Sequence, residues 1–391
     1  MMTPEENVRI TRVGPGTPAG ELLRRYWQPV SAAGELSEDK PIKKVRVLGE
    51  DLVLYQDLSG GYGLVAERCS HRRASLAYGS VDEEGIRCPY HGWKYDARGK
   101  CLEQPAEPEG SRLKDEIQHT AYPVERLGGL LFAYLGPAPA PHIPRWDVLA
   151  WEHGKRWVQI HTRLDCSWLQ AMENSVDPSH LYWLHGRTAH LAKMVPNYEE
   201  KHEFIQFDYG IMKRRTTPAT APDRKAQVDQ HPLVFPNTLR HVLKDKKNGQ
   251  IRHNLQFRMP VDDTHTQVYV VYFEPTEGER SPADGIAPIE HFNLKGEDGD
   301  YRMDMVLCQD AMAWETQGPV LDRSQENLGV SDMGIVKYRR LLQEQIKIVE
   351  DGGTPLGVVP HKDRDQVIEF DVINERIGVM TPERQDTVKV S

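Results

Sequence analysis

Two short segments, Cys69-Ser70-His71 and Cys88-Pro89-Tyr90-His91, each offer one sulfur and one imidazole nitrogen, and sixteen residues (72 to 87) separate them. Both pairs are useful only if the chain folds two loops together around one metal centre. Thiolates suit one iron of a two-iron, two-sulfur cluster and imidazoles the other, a mixed set that raises the reduction potential above that of an all-cysteine cluster. A structural zinc ion held by two Cys and two His is the plainer alternative on ligand types alone. The other cysteines, Cys101, Cys166 and Cys308, bring the total to five. An odd number in a long chain with no secretion signal argues against a disulfide framework, so these three are expected as buried small apolar residues.

The chain around these pairs is long enough for more than one domain: its 391 residues exceed the usual ~100–200 of a single unit. Thr17-Pro18 opens a helical pattern running to Trp27, with Leu22, Leu23, Tyr26 and Trp27 on one face. From Lys43 the period changes. Val45-Arg46-Val47-Leu48, Leu52-Val53-Leu54-Tyr55 and Leu130-Leu131-Phe132-Ala133-Tyr134-Leu135 read as strands of a compact β domain, and Gly136-Pro137-Ala138-Pro139-Ala140-Pro141 closes it. Beyond that, 168–184 reads as helix, 255–261 and 267–273 as strands, and 301–317 and 335–349 as helices, so the second part is an α+β domain. The expected division is 1–40 as an N-terminal helical segment, 41–140 as the β domain and 141–391 as the larger domain.

A second cluster of ligand types lies in that larger domain. Glu173-Asn174-Ser175-Val176-Asp177-Pro178-Ser179-His180-Leu181-Tyr182-Trp183-Leu184-His185 places two carboxylates and two imidazoles within thirteen residues. Two histidines and one carboxylate with open positions suit ferrous iron that reacts with O2. Residues five apart on a straight helix sit about 140° apart around the axis, so His180 and His185 share an ion only if the helix bulges or unwinds. Ordinary polar residues on an amphipathic helix are the bland alternative. His190 lies five residues further on and is set aside. Charge points the same way as the motifs: a net −9 without a long basic tract disfavours nucleic acid or an anionic membrane as partner. No apolar run approaches the ~18 residues of a membrane span, and the start of the chain has no export signal, so the cytoplasm is the expected compartment.

Cys69-Ser70-His71-Arg72-Arg73 and Cys88-Pro89-Tyr90-His91-Gly92-Trp93-Lys94-Tyr95 resemble the Rieske signature of ring-hydroxylating oxygenases, and Asp177-x2-His180-x4-His185 is similar to the mononuclear-iron motif of the same family. The resemblance runs from Val13 to the late helix and is closest to the phthalate-dioxygenase-like branch of catalytic alpha subunits. It implies an all-β Rieske domain inserted in a helix-grip (START-like) catalytic domain with a curved antiparallel sheet. Cys69 and Cys88 would hold one iron of a [2Fe-2S] cluster, His71 and His91 the other, and His180 and His185 a separate Fe(II). Asp177 would bridge His180 to His91 of a neighbouring subunit in a homotrimer or hexamer. The third iron ligand is expected in the 307–317 segment at Asp310, with Glu315, then Asp304 and Asp322, as alternatives. A flavin and iron–sulfur reductase, with or without a ferredoxin, would supply electrons, and the chain itself shows no nicotinamide-binding Gly-x-Gly-x-x-Gly. Function then reads as O2-dependent hydroxylation of a small aromatic ring, carboxylated or not. O- or N-dealkylation is the alternative within the family, and an electron carrier or structural metal protein the alternative outside it. Lys213, Arg214, Arg215, Arg240 and Arg258 could clamp a substrate carboxylate, yet each taken singly is more simply a solvated charge.

Overall fold

A computed structural model describes residues 2–186, 200–219, 225–245, 248–359 and 365–379; His190 lies outside them. The chain enters on the helix Pro4–Thr11, whose Thr3 and Glu6 form a reciprocal capping box, and the helix Pro18–Leu23, capped by Thr17. That second helix stops four residues short of the expected end. Trp27 opens a strand instead, Trp27–Ala32, because its partner Leu130–Tyr134 is available for antiparallel pairing from Trp27↔Tyr134 to Ala32↔Leu130. Val124–Leu127 completes this three-stranded sheet. Entry to and exit from the segment between are thereby tied side by side, as an inserted domain requires.

Within that insert, Ile42–Val47, Glu50–Gln56, Tyr62–Ala66 and Ala121–Tyr122 form one antiparallel sheet. The short strands Ser80–Val81, Ile86–Arg87, Lys94–Tyr95 and Cys101–Glu103 form a second. A core of its own, including Val53, Tyr55, Val65, Leu76, Ile86, Trp93 and Tyr95, packs around Cys69, Cys88 and Cys101. All five cysteines are buried and unpaired.

The larger part is one nine-stranded sheet in the order Lys201–Phe207, Gly210–Thr217, Gln227–Val234, Thr238–Lys244, Ile251–Asp262, His265–Pro275, Gly154–His161 and Ile289–Phe292, with Ile373–Asn374 added beside Gln227–Val234. Its long central pair extends the expected strands in both directions, and the mixed burial along Ile251–Asp262 shows why: buried Leu255, Phe257 and Met259 face the core while Asn254, Gln256 and Arg258 are buried on the opposite face. The helices Trp168–Asn174 and Met333–Glu350 cover the sheet, inserting Trp168, Leu169, Met172, Leu341, Leu342 and Ile346 into the main core. A fully buried leucine of this kind contributes about 1.5–3 kcal/mol. No helix among the described residues is long and apolar enough to cross a membrane.

Candidate metal centres and substrate cavity

The two Cys/His loops are built alike. Cys69 N–H donates to Ala74 O (2.9 Å) and Arg73 N–H to Cys69 O (3.0 Å), while Cys88 N–H donates to Trp93 O (2.8 Å) and Gly92 N–H to Cys88 O (3.1 Å). Closing so tight a loop requires a left-handed residue at the fourth place after each cysteine, and Gly92 (φ 72°) and Arg73 (φ 65°) occupy it. Glycine does this freely; for arginine the conformation stores strain that the surrounding bonds must offset. The thiols point inward and the imidazoles toward the surface: Cys69 and Cys88 are buried, His71 and His91 only partly so. The His71 and His91 rings lie 4.6 Å apart, and Trp93 stacks on His71 at 4.4 Å. Tyr95 Oη sits 3.2 Å from Cys69 Sγ.

This donor set fits a [2Fe-2S] cluster. His71 Nδ1 is buried without a hydrogen-bond partner, a cost that a metal bond would remove. Burial foremost, with Cys69 close by, pushes the Cys88 thiol up, so a thiolate there needs a compensating cation.

In the second cluster the single helix expected over 168–184 is broken. It ends at Asn174 because Pro178 has no N–H to continue the ladder. After a turn closed by Ser179 N–H on Asp177 Oδ1 (2.8 Å), the chain rewinds as a π-turn, Leu181–His185, with Gly186 N–H on Leu181 O (3.0 Å). The widened turn is the bulge that the five-residue spacing demands. Asp310 arrives from the helix Val306–Glu315, and one ligand atom each of His180, His185 and Asp310 lies within 4.8 Å of the others. Asp310 Oδ1 is 3.3 Å from His185 Nε2 and 3.7 Å from His180 Nε2.

The alternatives to Asp310 are occupied elsewhere. Glu315 accepts from Tyr301 Oη (2.5 Å) and Asp165 N–H (3.0 Å), Asp322 caps a short helix through Ser324, and Asp304 is exposed. Asp177 Oδ2 lies 3.5 Å from His180 Nδ1.

Gln309, which no sequence signal singled out, decides how His185 is presented. Its amide nitrogen donates to Met303 O (2.7 Å), which turns its oxygen toward His185, and the Nδ1–H of His185 donates to that oxygen at 2.7 Å. The tautomer thus fixed aims the Nε2 lone pair at the Asp310 carboxylate. Two acceptors facing each other at 3.3 Å call for a cation between them. Burial opposes a proton on the His185 imidazole, but Asp310 and then Gln309 hold it above its ordinary value. Burial likewise opposes ionisation of Asp310, and the His185 bond with the His180, His185 and Arg258 charges still holds it low. A ferrous ion fits the same place with the same ligands. Gln309→Leu is expected to weaken iron retention about 10–100-fold, the usual cost of losing an outer hydrogen bond to a ligand. Iron per chain after a chelator challenge checks it, with the cluster's spectrum unchanged.

Beside His185 opens a cavity of about 340 Å³, within the range of small-molecule sites. Its wall follows from strand register. Lys213 and Arg215 alternate onto one face of Gly210–Thr217, opposite His231 and Asp229 of the next strand. His241, Leu181, Val306 and Arg376 also line it. Of the five basic residues considered, Arg240 and Arg258 are structural. Arg240 grips Asp147 (3.0 Å, both side chains 1% exposed), and Arg258 donates to Ala171 O and Ser175 Oγ beneath Trp314. Arg214 donates to Gln230 Oε1 at 2.7 Å.

A β domain with Cys/His loops, joined to a sheet-and-helix domain that gathers two histidines and a carboxylate, defines a Rieske-type oxygenase. Comparison agrees: residues 26–123 match the Rieske [2Fe-2S] domain family and 297–380 the LigXa C-terminal domain-like family. The chain is 40% identical to the 5,5'-dehydrodivanillate O-demethylase oxygenase subunit of Sphingobium sp., over 92% of this chain and 84% of that one. It is 35% identical to the phenoxybenzoate dioxygenase subunit alpha of Ectopseudomonas oleovorans (90% and 87%) and 30% to the phthalate 4,5-dioxygenase oxygenase subunit of Pseudomonas putida (95% and 92%). In fold it resembles NdmA of Pseudomonas putida CBB5, with a TM-score of 0.67 at 22% identity over 86% and 94% of the two chains. The chain belongs to the Rieske non-haem iron oxygenases, among the alpha subunits that include phthalate dioxygenase and O-demethylases. Enzymes of this family carry a [2Fe-2S] cluster and a mononuclear Fe(II).

Proposed function

We propose that the chain is a terminal oxygenase component that oxidises a small aromatic substrate in the 340 Å³ cavity beside His185. In this reading Cys69, His71, Cys88 and His91 hold the cluster, and His180, His185 and Asp310 hold the iron. The observation that carries it is the gathering of those last three ligand atoms within 4.8 Å of one another, with His185 also lining that cavity. When bound, the cluster delivers single electrons and the iron activates O2. The chain's own part is positioning. Gln309 fixes the ring of His185, Asp177 lies against His180, and the sheet keeps substrate beside an open coordination position.

Asp177 is also a bridge to a neighbouring subunit in this proposal. Its carboxylate is 23% exposed. His91 packs within its own chain on His71 and Tyr90, and among the described residues it makes no ion contact with Asp177. Electron transfer from His91 to Asp177 would then run between chains of a homotrimer or a hexamer, with 41–140 as the donating domain, 141–391 as the receiving one and 1–40 packed on the latter. A flavin and iron–sulfur reductase, with or without a ferredoxin, would feed the cluster, and the enzyme would work in the cytoplasm. Ring hydroxylation is the first reading of the reaction. O-dealkylation is the second, supported by the 40% identity to an O-demethylase subunit.

Anaerobic metal analysis tests the proposal. About three irons and about two acid-labile sulfides per chain, with a Rieske-type electron paramagnetic resonance signal on reduction, is the expected result. About two irons in a fully loaded sample would leave an electron carrier without an oxygen-activating centre.

A further inference from the structure

The two Cys/His loops share a third histidine that is not one of the four donors. His119 lies between the strands Cys101–Glu103 and Ala121–Tyr122 and is 3% exposed. Its main chain is pinned first: His119 N–H donates to Gly99 O (2.7 Å), and a Cβ at Gly99 (φ 79°) would come 1.9 Å from His119 O. The ring is fixed by two polar partners. Its Nε2 lies 2.9 Å from Ala66 O, and a carbonyl only accepts, so Nε2 carries the proton and Nδ1 of the neutral ring accepts from Ser70 Oγ–H at 2.8 Å. Ser70 stands between Cys69 and His71. The face of the same ring carries Tyr95, stacked with 4.5 Å between centroids and 28° between planes. Tyr95 follows the second loop, is fully buried, and reaches back with its Oη to Cys69 Sγ at 3.2 Å. A thiolate has no proton to give, so with Cys69 ionised the phenol is the donor. One imidazole thus ties the first loop to the residue that crosses over from the second.

We propose that His119 is a positioning residue of the cluster: braced by Ala66 and Ser70, it holds the Tyr95 ring so that its hydroxyl stays aimed at Cys69 Sγ, and in this way sets the reduction potential. A hydrogen bond to a ligand sulfur draws off part of the negative charge that reduction adds, so it favours the reduced cluster and raises its potential. That effect depends on aim, because a hydrogen bond weakens steeply as it bends. The stacked imidazole restricts how the phenol can tilt, and Ser70 and Ala66 keep the imidazole itself from turning.

The inference rests on the cluster assignment proposed above. Redox titration of the purified, cluster-loaded chain, followed by the electron paramagnetic resonance signal of the reduced cluster, tests it. His119→Leu is expected to lower the midpoint by about 59 mV, which is about a tenfold change in the reduced-to-oxidised ratio at fixed potential and close to the worth of one hydrogen bond to a charged group. Tyr95→Phe is expected to lower it by the same step, and the double variant no further, because the histidine acts through the phenol. His119→Gln can still serve Ala66 and Ser70 but offers Tyr95 no ring; it is expected to fall with the Leu variant, and it stands in for that variant if Leu does not fold. A wild-type midpoint in either His119 variant, additive losses in the double variant, or loss of the cluster from both His119 variants overturns the inference. A wild type without a Rieske-type signal would remove the cluster assignment itself, whereas a normal signal with an unmoved midpoint would remove only the role of His119.

Discussion

Asp310→Ala is expected to purify with about two irons per chain in place of about three, to keep the reduced-cluster signal of the wild type, and to lose substrate oxidation altogether. The reason lies in how few groups define the second centre. His180 and His185 come from one irregular turn, and Asp310 is the only described carboxylate that meets both within 4 Å. Removing it leaves two neutral imidazoles, so iron affinity should fall by more than the roughly 100-fold upper limit for losing an outer hydrogen bond. The fold should survive, because Asp310 makes one long contact besides these, from Asn174 Nδ2 at 3.5 Å, and the helix around it is anchored by Cys308, Ala311 and Trp314. Glu315→Ala is the control: it breaks contacts to Tyr301 and Asp165 and should leave the iron count alone. An iron count of three in Asp310→Ala, stable to chelator, would place the third ligand elsewhere.

How much of this was legible beforehand depended on how local the determinants are. The Cys/His loops place all four donors within a few residues of their partners, so type and spacing marked them as a metal-binding set, while the choice of a [2Fe-2S] cluster over zinc rested on the resemblance of the residues around them. The five-residue separation of His180 and His185 even foretold the shape of the backbone, since no straight helix satisfies it. Helix ends were less legible. Leu22 to Trp27 is apolar enough for either structure, and the antiparallel pairing with Leu130–Tyr134 drew Trp27 into a strand. Pro178 was visible in the sequence, yet the apolar residues on either side masked the break that it forces. Asp310 rested on family resemblance, because nothing near His185 points to a partner so far along the chain. The basic residues could not be sorted at all from the sequence. That Arg240 and Arg258 are structural while Lys213 has no ion pair among the described residues follows from register, and register is set by pairing across the whole sheet.

Glu173 is the residue whose weight the sequence hid most completely, and Glu173→Ala is expected to destabilise the protein by about 3–5 kcal/mol, the cost of breaking a buried charge cluster on one side. Its two oxygens accept from Arg323 Nε and Nη2, both at 2.8 Å, and from Arg339 Nε at 2.6 Å. These partners lie 150 and 166 residues away. Arg339 keeps Glu326 as a second partner (2.6 Å), but Arg323, fully buried, would keep only Asn7 Oδ1 and Leu321 O. Burial works against the Glu173 carboxylate, and the two guanidinium groups more than compensate, holding it below the ordinary carboxylate value of 4.5. Its contribution is therefore complete above that value and fades as pH falls through the depressed one; the variant should lack this part of the wild type's acid sensitivity. Urea midpoints at neutral and acidic pH measure both effects, and an equal loss at every pH would sink the electrostatic account. A buried cluster of this kind need not be more stable than apolar side chains in its place, so its use is better sought in position. Glu173 sits on the last turn of the helix that leads into Asp177 and the π-turn. Fixing it to Arg323 and Arg339 holds the root of the turn from which His180 and His185 reach the iron. A Glu173→Leu, Arg323→Leu pair should then recover most of the lost stability while iron loading stays low. Full recovery of both would reduce the cluster to packing.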